Sequence, residues 1–536
     1  MVSLHKNHSC FCLHALFVSF IFAVIYVVPI AEALGTFGMD IHHRYSDTVK
    51  NFLSNDGLPE KDTLDYFTAL VHRDHLRGRH LAGDSEVDTR IIFSGGNATI
   101  RSADLQFLLY AFVWVGTPYL GFVVALDTGS DLFWLPCECT DCPRNFTART
   151  GERLNFNIYA ANTSSTETPV PCNSSMCGDS YQCLKEQNVC AYEAKSLSMN
   201  ASSAGILLED VMQLANENPQ TFVKSNITIG CGRVQTGEYL LNGAPNGVLG
   251  LGMGDISVPT ILASQGLIAN SFSMCYGTDG IGRIVFGDKG SSNQEETPIN
   301  TTASYPTYYN VNIEQVSVGS EVSDLEFTAL FDSGAAFTML PDPVYTTLTK
   351  SLDSQVLEPR QNVTDFPLEF CYILRSNSSF SAQAPNITFT MKGGFQFEVR
   401  DPFIRYQFQN SSYLHCLAIS KTENISIIGL SFMTNYHVVF NREKMVLGFE
   451  KADCYGKDQS GDTPPPSTTP PKAPSPPRST TRPNSTEELP VSPSDNKNNS
   501  SPVPGTGNGA RVNSSTYKVM MAFLLLFSHH LIFTNA

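Results

Sequence analysis

The chain has 536 residues, 42% of them hydrophobic and 16% charged, with a formal net charge of −16. That hydrophobic share supports a folded body rather than a disordered chain, and the length leaves room for one large body with tails. The acidic balance excludes a protein built to grip a phosphate backbone, which needs a basic face, so no nucleic-acid partner is expected.

In chain order, Lys6 precedes an apolar run from Leu13 to Ile30, followed by Ala31-Glu32-Ala33. A basic start, an apolar core and a small-residue site predict a secretory signal over 1–33. Residues 34–90 carry the clusters His42-His43-Arg44, His72-Arg73-Asp74-His75 and Arg77-Gly78-Arg79-His80. A helical spacing runs between them at Leu64, Phe67, Leu70 and Val71. This segment is expected to be a propeptide whose cations lie against an acidic cleft and hold it closed.

From about 105 to 455 the chain reads as short Val/Ile/Phe/Tyr strands punctuated by Gly, Asn and Pro. Two stretches echo each other. Phe122 to Ser130 is an apolar run ending in Asp127-Thr128-Gly129-Ser130, and Leu325 to Gly334 is another, ending in Asp332-Ser333-Gly334. Each is followed much later by apolar residues and Gly, at Gly247-Val248-Leu249-Gly250 and Ile427-Ile428-Gly429. The repetition predicts two duplicated lobes facing each other, 105–295 and 305–455, with an Asp turn from each at the junction.

Glycine after each Asp suits a tight turn, and the Thr128 and Ser333 hydroxyls are placed to hydrogen-bond to the opposite lobe. Two carboxylates held close cannot both ionise freely. One keeps a proton while the other takes a proton from a shared water, which makes Asp127 and Asp332 the candidate catalytic pair. Such chemistry needs no metal and no cofactor.

Of the 14 Cys, Cys10 and Cys12 leave with the signal, and the remainder is even, as a set of disulfides in an exported chain would be. The cluster Cys137, Cys139 and Cys142 has no His beside it, which favours disulfides over zinc. Glycosylation sequons stand at Asn97, Asn145, Asn162, Asn173, Asn200, Asn226, Asn300, Asn362, Asn377, Asn386, Asn410 and Asn424.

Residues 456–512 are rich in Pro, Ser, Thr and Asn and predict an extended stalk. Small residues Gly507-Asn508-Gly509-Ala510, a polar spacer and the apolar run Val519 to Phe533 predict a GPI-anchor signal over 509–536 that is removed on maturation. Asn508 is the candidate lipidation residue. The expected location is the outer face of the plasma membrane, reached by secretion and held through a lipid, with shedding from the stalk as a further outcome.

These features together resemble the pepsin-like aspartic proteases, in particular plant GPI-anchored members of the aspartyl protease family protein 1-like group. The resemblance is carried by Val115-Gly116-Thr117-Pro118, Leu126 to Pro136 (LDTGSDLFWLP), Gly247 to Gly252 (GVLGLG), Phe331 to Leu340 (FDSGAAFTML) and Ile427 to Phe449. The Cys-rich stretch from Cys137 to Cys190 is similar to an insertion of plant nepenthesin-type members. The resemblance implies an all-β, bilobal fold with a central active-site cleft, a monomer, and extended polypeptide substrates with apolar residues beside the cut. It also implies that Trp134 stands behind the hairpin covering the cleft and that Cys371 pairs with Cys416.

Two departures stand out. The hairpin tyrosine of the family aligns with Ser196, so the aromatic cover and the hydroxyl expected to bond Trp134 are missing there. Tyr192 is close by but matches another family position. Ala335 replaces the family's Thr or Ser after the second Asp-Ser-Gly, which predicts a less acidic pH optimum because one hydrogen bond to the carboxylate is lost. The main reading is an extracellular aspartic endopeptidase made as a zymogen. Its rival is a catalytically weak pepsin-like scaffold that binds a protein or a wall polymer.

Overall fold

The structure is a computed structural model that describes residues 35–53, 58–82, 90–92, 99–101, 105–147, 151, 153–178, 180–196, 200–215, 222–277, 281–302, 308–363, 366–373, 384–408, 412–452 and 454. The predicted signal, stalk, anchor signal and Asn508, and the sequons at Asn97, Asn377 and Asn410, lie outside these residues. Among the described residues, no helix is long and apolar enough to cross a membrane.

The chain from Phe122 to Leu126 is continuously apolar, so it is buried on both faces of its strand, Leu120–Asp127. That strand pairs antiparallel with Leu109–Val115 and parallel with Val248–Gly250, which sets Gly250 opposite Asp127. The second lobe repeats the device. Strand Glu321–Phe331 pairs parallel with Ser426–Ile428, and the Asp332 amide donates to the Ile428 carbonyl at 3.1 Å. The internal echo in the sequence is therefore an echo in topology.

Fifteen strands form one sheet that begins in the first lobe and runs through to Tyr436–Asn441, Val446–Lys451 and Glu295–Pro298. A seven-stranded sheet, centred on Asn310–Val318 and Glu321–Phe331, builds the second lobe, with a three-stranded sheet of Cys371–Ile373, Ser412–Leu417 and Phe403–Phe408 beside it. Disulfides join Cys137 to Cys231, Cys139 to Cys142, Cys172 to Cys183, Cys177 to Cys190, Cys275 to Cys454 and Cys371 to Cys416. Several close long loops, which is where a cross-link restricts the unfolded chain most.

The N-terminal segment departs from expectation. Strand structure begins well before residue 105, because Phe37–His43 is a full member of the large sheet between Ile281–Phe286 and Leu109–Val115. Its alternation is interrupted by His42 and His43, so a period-two pattern is hard to see in the sequence. The predicted helix spans Leu64–Leu81, with the Thr63 side chain accepting from the Tyr66 amide at its start. Residues on all sides of this helix are buried, among them Phe67, Leu70, Arg73, Asp74 and Arg77. A helix buried all round is enclosed by protein, and this one lies in the cleft between the lobes.

The described sequons at Asn162, Asn173, Asn200, Asn226, Asn362, Asn386 and Asn424 are exposed, while Asn145 and Asn300 are half-buried. Asn300 already uses its amide, donating to Asn312 and accepting from Thr302.

Candidate active site

Asp127 and Asp332 sit at equivalent strand ends, and each carboxylate accepts from the amide two residues on. Gly129 donates to Asp127 Oδ1 at 3.0 Å, and Gly334 donates to Asp332 Oδ1 at 2.8 Å. Neither glycine has a positive φ, so backbone freedom is not why glycine stands there. Space is the reason. A Cβ on Gly129 would lie 2.5 Å from the Tyr308 ring, and one on Gly334 would lie 2.5 Å from Arg77 Nη2.

The helix Leu64–Leu81 places Arg77 between the two turns. Its Nε donates to Asp332 Oδ2 at 2.6 Å and its Nη2 to Asp332 Oδ1 at 3.0 Å, a bidentate pair. The same Nη2 lies 3.8 Å from Asp127 Oδ1. One guanidinium therefore serves both carboxylates. Burial alone would lower Arg77, but the charges of Asp332 and Asp127 outweigh it and hold the group above the ordinary arginine value.

The helix is strapped to both lobes one turn earlier. Arg73 pairs with Asp74 at 2.5 Å and donates to the Gln106 carbonyl at 2.7 Å, while the Phe337 amide donates to Asp74 Oδ2 at 2.8 Å. Burial pushes the Asp74 carboxyl up, against the opposing pull of Arg73 and of the Phe337 and Ala336 amides. The histidines of the segment move the other way: burial lowers His42 and His75 and takes His43, which also faces Lys61, Arg44 and Arg73, down to about 3.

Towards its start, the helix sets Tyr66, Phe67 and Leu70 at the edge of a cavity of about 900 Å³, opposite Phe337, Phe403 and Tyr406. The Phe67 ring lies 5.8 Å from Phe366 and 6.3 Å from Tyr406. The cleft thus takes an aromatic side chain several residues from the carboxylates, with apolar walls on the second lobe.

The supporting hydroxyls behave differently from expectation. Thr128 is buried, and the Ser333 hydroxyl faces Tyr276 without a hydrogen bond of ordinary geometry. Among the described residues, no side-chain bond from Thr128 or Ser333 reaches the opposite turn; Arg77 spans the two turns instead. Ser130 is half-buried beside Gly252, whose amide donates to the Ser130 carbonyl at 2.8 Å. Ala335 is fully buried in an apolar cluster with Leu81, Leu330, Met339 and Ile427, and its carbonyl accepts from the Leu430 amide at 2.8 Å.

Trp134 is buried on the strand that leaves the first Asp turn. Behind it, Tyr192 shares a hydrogen bond of 2.9 Å with Ser203, and a Cβ on Gly230 would touch both Tyr192 and Trp134. Tyr192 is therefore committed to the lobe interior. The aromatic ring that does meet Trp134 beside the cleft is Tyr239, 4.9 Å away and inclined at 56°. Tyr239 and Arg77 escaped the sequence reading as individual residues. Arg77 lay within a recognised basic cluster, and the one trace of Tyr239 was an aromatic just after Gly237 and shortly before the Gly247 strand.

Two family models match the chain, one described as "Xylanase inhibitor N-terminal" over residues 110–288 and one as "Xylanase inhibitor C-terminal" over residues 308–451. Over 82% of its length the chain is 48% identical to "Aspartyl protease family protein 1" of Arabidopsis thaliana, covering 86% of that protein. It is 34% identical to "Aspartic proteinase-like protein 1" of the same plant, covering 81% of this chain and 84% of the relative. It is also 26% identical to "Aspartic proteinase nepenthesin-1" of Nepenthes gracilis, over 67% of this chain and 81% of that one. Among solved structures, basic 7S globulin from soybean superposes with a TM-score of 0.53 at 17% identity, covering 78% of this chain and 95% of the globulin. At that identity the likeness bears on fold alone.

Proposed function

The chain belongs to the pepsin-like aspartic protease family, and on that premise we propose that it is an aspartic endopeptidase whose described form is a closed zymogen. The observation that carries the reading is the sharing of Arg77 by Asp127 and Asp332. Two carboxylates close enough to use one guanidinium are close enough to use one water. With the guanidinium gone, their mutual repulsion leaves one protonated, so the ionised partner takes a proton from water as it attacks a peptide carbonyl. The protonated partner then gives its proton to the developing oxyanion. With Arg77 in place one guanidinium stands between the two carboxylates, where the shared water would have to sit, so the segment 34–90 must leave first.

Export, glycosylation, the GPI anchor, action as a monomer at the outer membrane face and polypeptide substrates complete the proposal; these rest on the sequence signals and on the named relatives. The decisive assay is cleavage of a denatured protein by the acid-treated secreted chain, with pepstatin and Asp127→Asn as controls. Activity that is lost with either control supports the reading, and activity equal in wild type and Asp127→Asn overturns it.

A second reading, a binding scaffold with little turnover, draws on Ser196 and on a family description that names inhibitors. The same assay favours it if the acid-treated chain binds pepstatin without cleaving.

A further inference from the structure

The hairpin of Val189–Lys195 and Ala201–Ala215 has a serine, Ser196, at its described end. Serine is too short to cover the carboxylates or to reach Trp134. The Ser196 amide donates to the Ala201 carbonyl at 2.9 Å, which closes the hairpin and leaves the side chain for another partner. The Tyr239 hydroxyl faces that side chain, and the neighbouring Glu238 amide donates to the Asn200 carbonyl of the same hairpin at 3.3 Å.

Tyr239 comes from elsewhere in the chain. It follows Gly237, which has φ 55°, and lies in the short 3-10 turn Glu238–Leu241 that precedes the strand behind Asp127. Its side chain is 5% exposed and its ring packs on Trp134. Asp127 and Arg77 are both near enough to act on its hydroxyl, so the ring stands beside the carboxylates as well as under the hairpin. Burial, then the Asp127 charge, pushes the hydroxyl above the ordinary tyrosine range, which keeps it a neutral hydrogen-bonding group throughout the acid and neutral range.

Resting on the protease reading, we infer that Tyr239 is a positioning residue that holds the hairpin over the two carboxylates through the Ser196 hydroxyl. The chain Trp134–Tyr239–Ser196 runs from the floor of the first lobe, past Asp127, to the cover. The tyrosine that steadies the hairpin is thus supplied by the turn after the neighbouring strand Phe222–Gly237, and Ser196 is the short acceptor and donor that fits it. An aromatic residue at 196 would displace the ring; an alanine would leave the hydroxyl of Tyr239 buried without its partner, which is costly.

The test uses the full secreted chain and four variants: Tyr239→Phe, Ser196→Ala, the double variant and Ser196→Thr. With a quenched-fluorescence octapeptide carrying Phe-Phe at the cut, each single change should lower kcat/KM about tenfold, chiefly in kcat, since one hydroxyl pair is lost and the ring is kept. The double variant should be no worse than either single one, because both remove the same bond. Ser196→Thr, which keeps a hydroxyl, should recover most of the loss seen in Ser196→Ala. Additive losses, or single variants within twofold of wild type, overturn the inference.

A second measurement does not depend on turnover. Amide hydrogen exchange along 189–196 and 201–205 in the closed chain should speed up about tenfold, and equally, in Tyr239→Phe and Ser196→Ala. Unchanged exchange overturns the positioning role even if the chain proves to be no protease, and faster exchange supports it in that case too.

Discussion

Asp127 and Asp332 end equivalent strands and accept equivalent amides, yet their surroundings differ. The Asp332 side chain is 3% exposed and gripped through both oxygens by Arg77, whereas Asp127 is 13% exposed and meets the same guanidinium at 3.8 Å. Near Asp127 stands Tyr239 with Trp134 packed on its ring; around Asp332 stand the buried Ala335, Phe337 and the strap from Asp74. The two turns thus supply matching carboxylates, and on the proposed reading the cover falls to one lobe and the lock to the other.

The strongest way to break that comparison is to neutralise each carboxylate separately. Asp127→Asn and Asp332→Asn should each abolish turnover, by about 10⁴-fold or more in kcat, because acid and base act as a unit. Their effects on closure should differ. Asp332→Asn removes the bidentate partner and should free the N-terminal segment more readily than Asp127→Asn, as limited proteolysis after residue 82 would report. Equal release in both would dissolve the proposed division of labour.

Removing the shared cation comes next. Arg77→Gln leaves two enclosed carboxylates facing each other, and breaking a buried pair in this way costs about 3–5 kcal/mol. The variant should cleave peptide at neutral pH without acid treatment, where wild type remains closed.

Acid activation should depend on the segment's histidines. His43 is held down to about 3 in the closed form and returns to 6.5 when released. The released form therefore binds the extra proton, so closure is fully favoured above pH 6.5 and weakens as pH falls towards 3, by up to about 1.4 kcal/mol per unit. His43→Gln should move the activation midpoint to lower pH. Asp74 opposes this: its carboxyl is raised in the closed form, so its protonation on acidification favours closure. Asp74→Asn should make opening more dependent on pH near the carboxylate range, because the opposing proton is gone, and activation profiles of the two variants would show opposite changes in slope.

The smallest effect is expected at Ala335. Ala335→Thr restores a hydroxyl beside Asp332 and should shift the pH optimum to more acidic values, by less than about one unit. An unmoved pH–rate profile would mean that Gly334 and the turn backbone already saturate the carboxylate.

Much of this molecule is legible in its sequence. The apolar run before Asp127, its copy before Asp332 and the distal Gly-ending strands sufficed for the two-lobed β fold, because strand burial and turn chemistry are local properties. The helix around Leu64 to Val71 was legible from its spacing. The strand Phe37–His43 was not, since its place is set by neighbours more than sixty residues away. The expected roles of Thr128 and Ser333 went astray for a related reason: a hydroxyl's partner depends on what else enters the cleft, and here Arg77 does.

By itself, then, the sequence determined that two Asp turns exist, that they terminate buried strands, and that the body's cysteines are even in number. Only the tertiary structure decided which arginine of a basic cluster meets them, which cysteines pair, and that Tyr239 stands where Ser196 falls short. The physical reason is separation along the chain. A strand or turn follows from adjacent residues, whereas an ion pair between residues 77 and 332, or a ring set against Trp134 from position 239, exists only once the lobes have closed on each other.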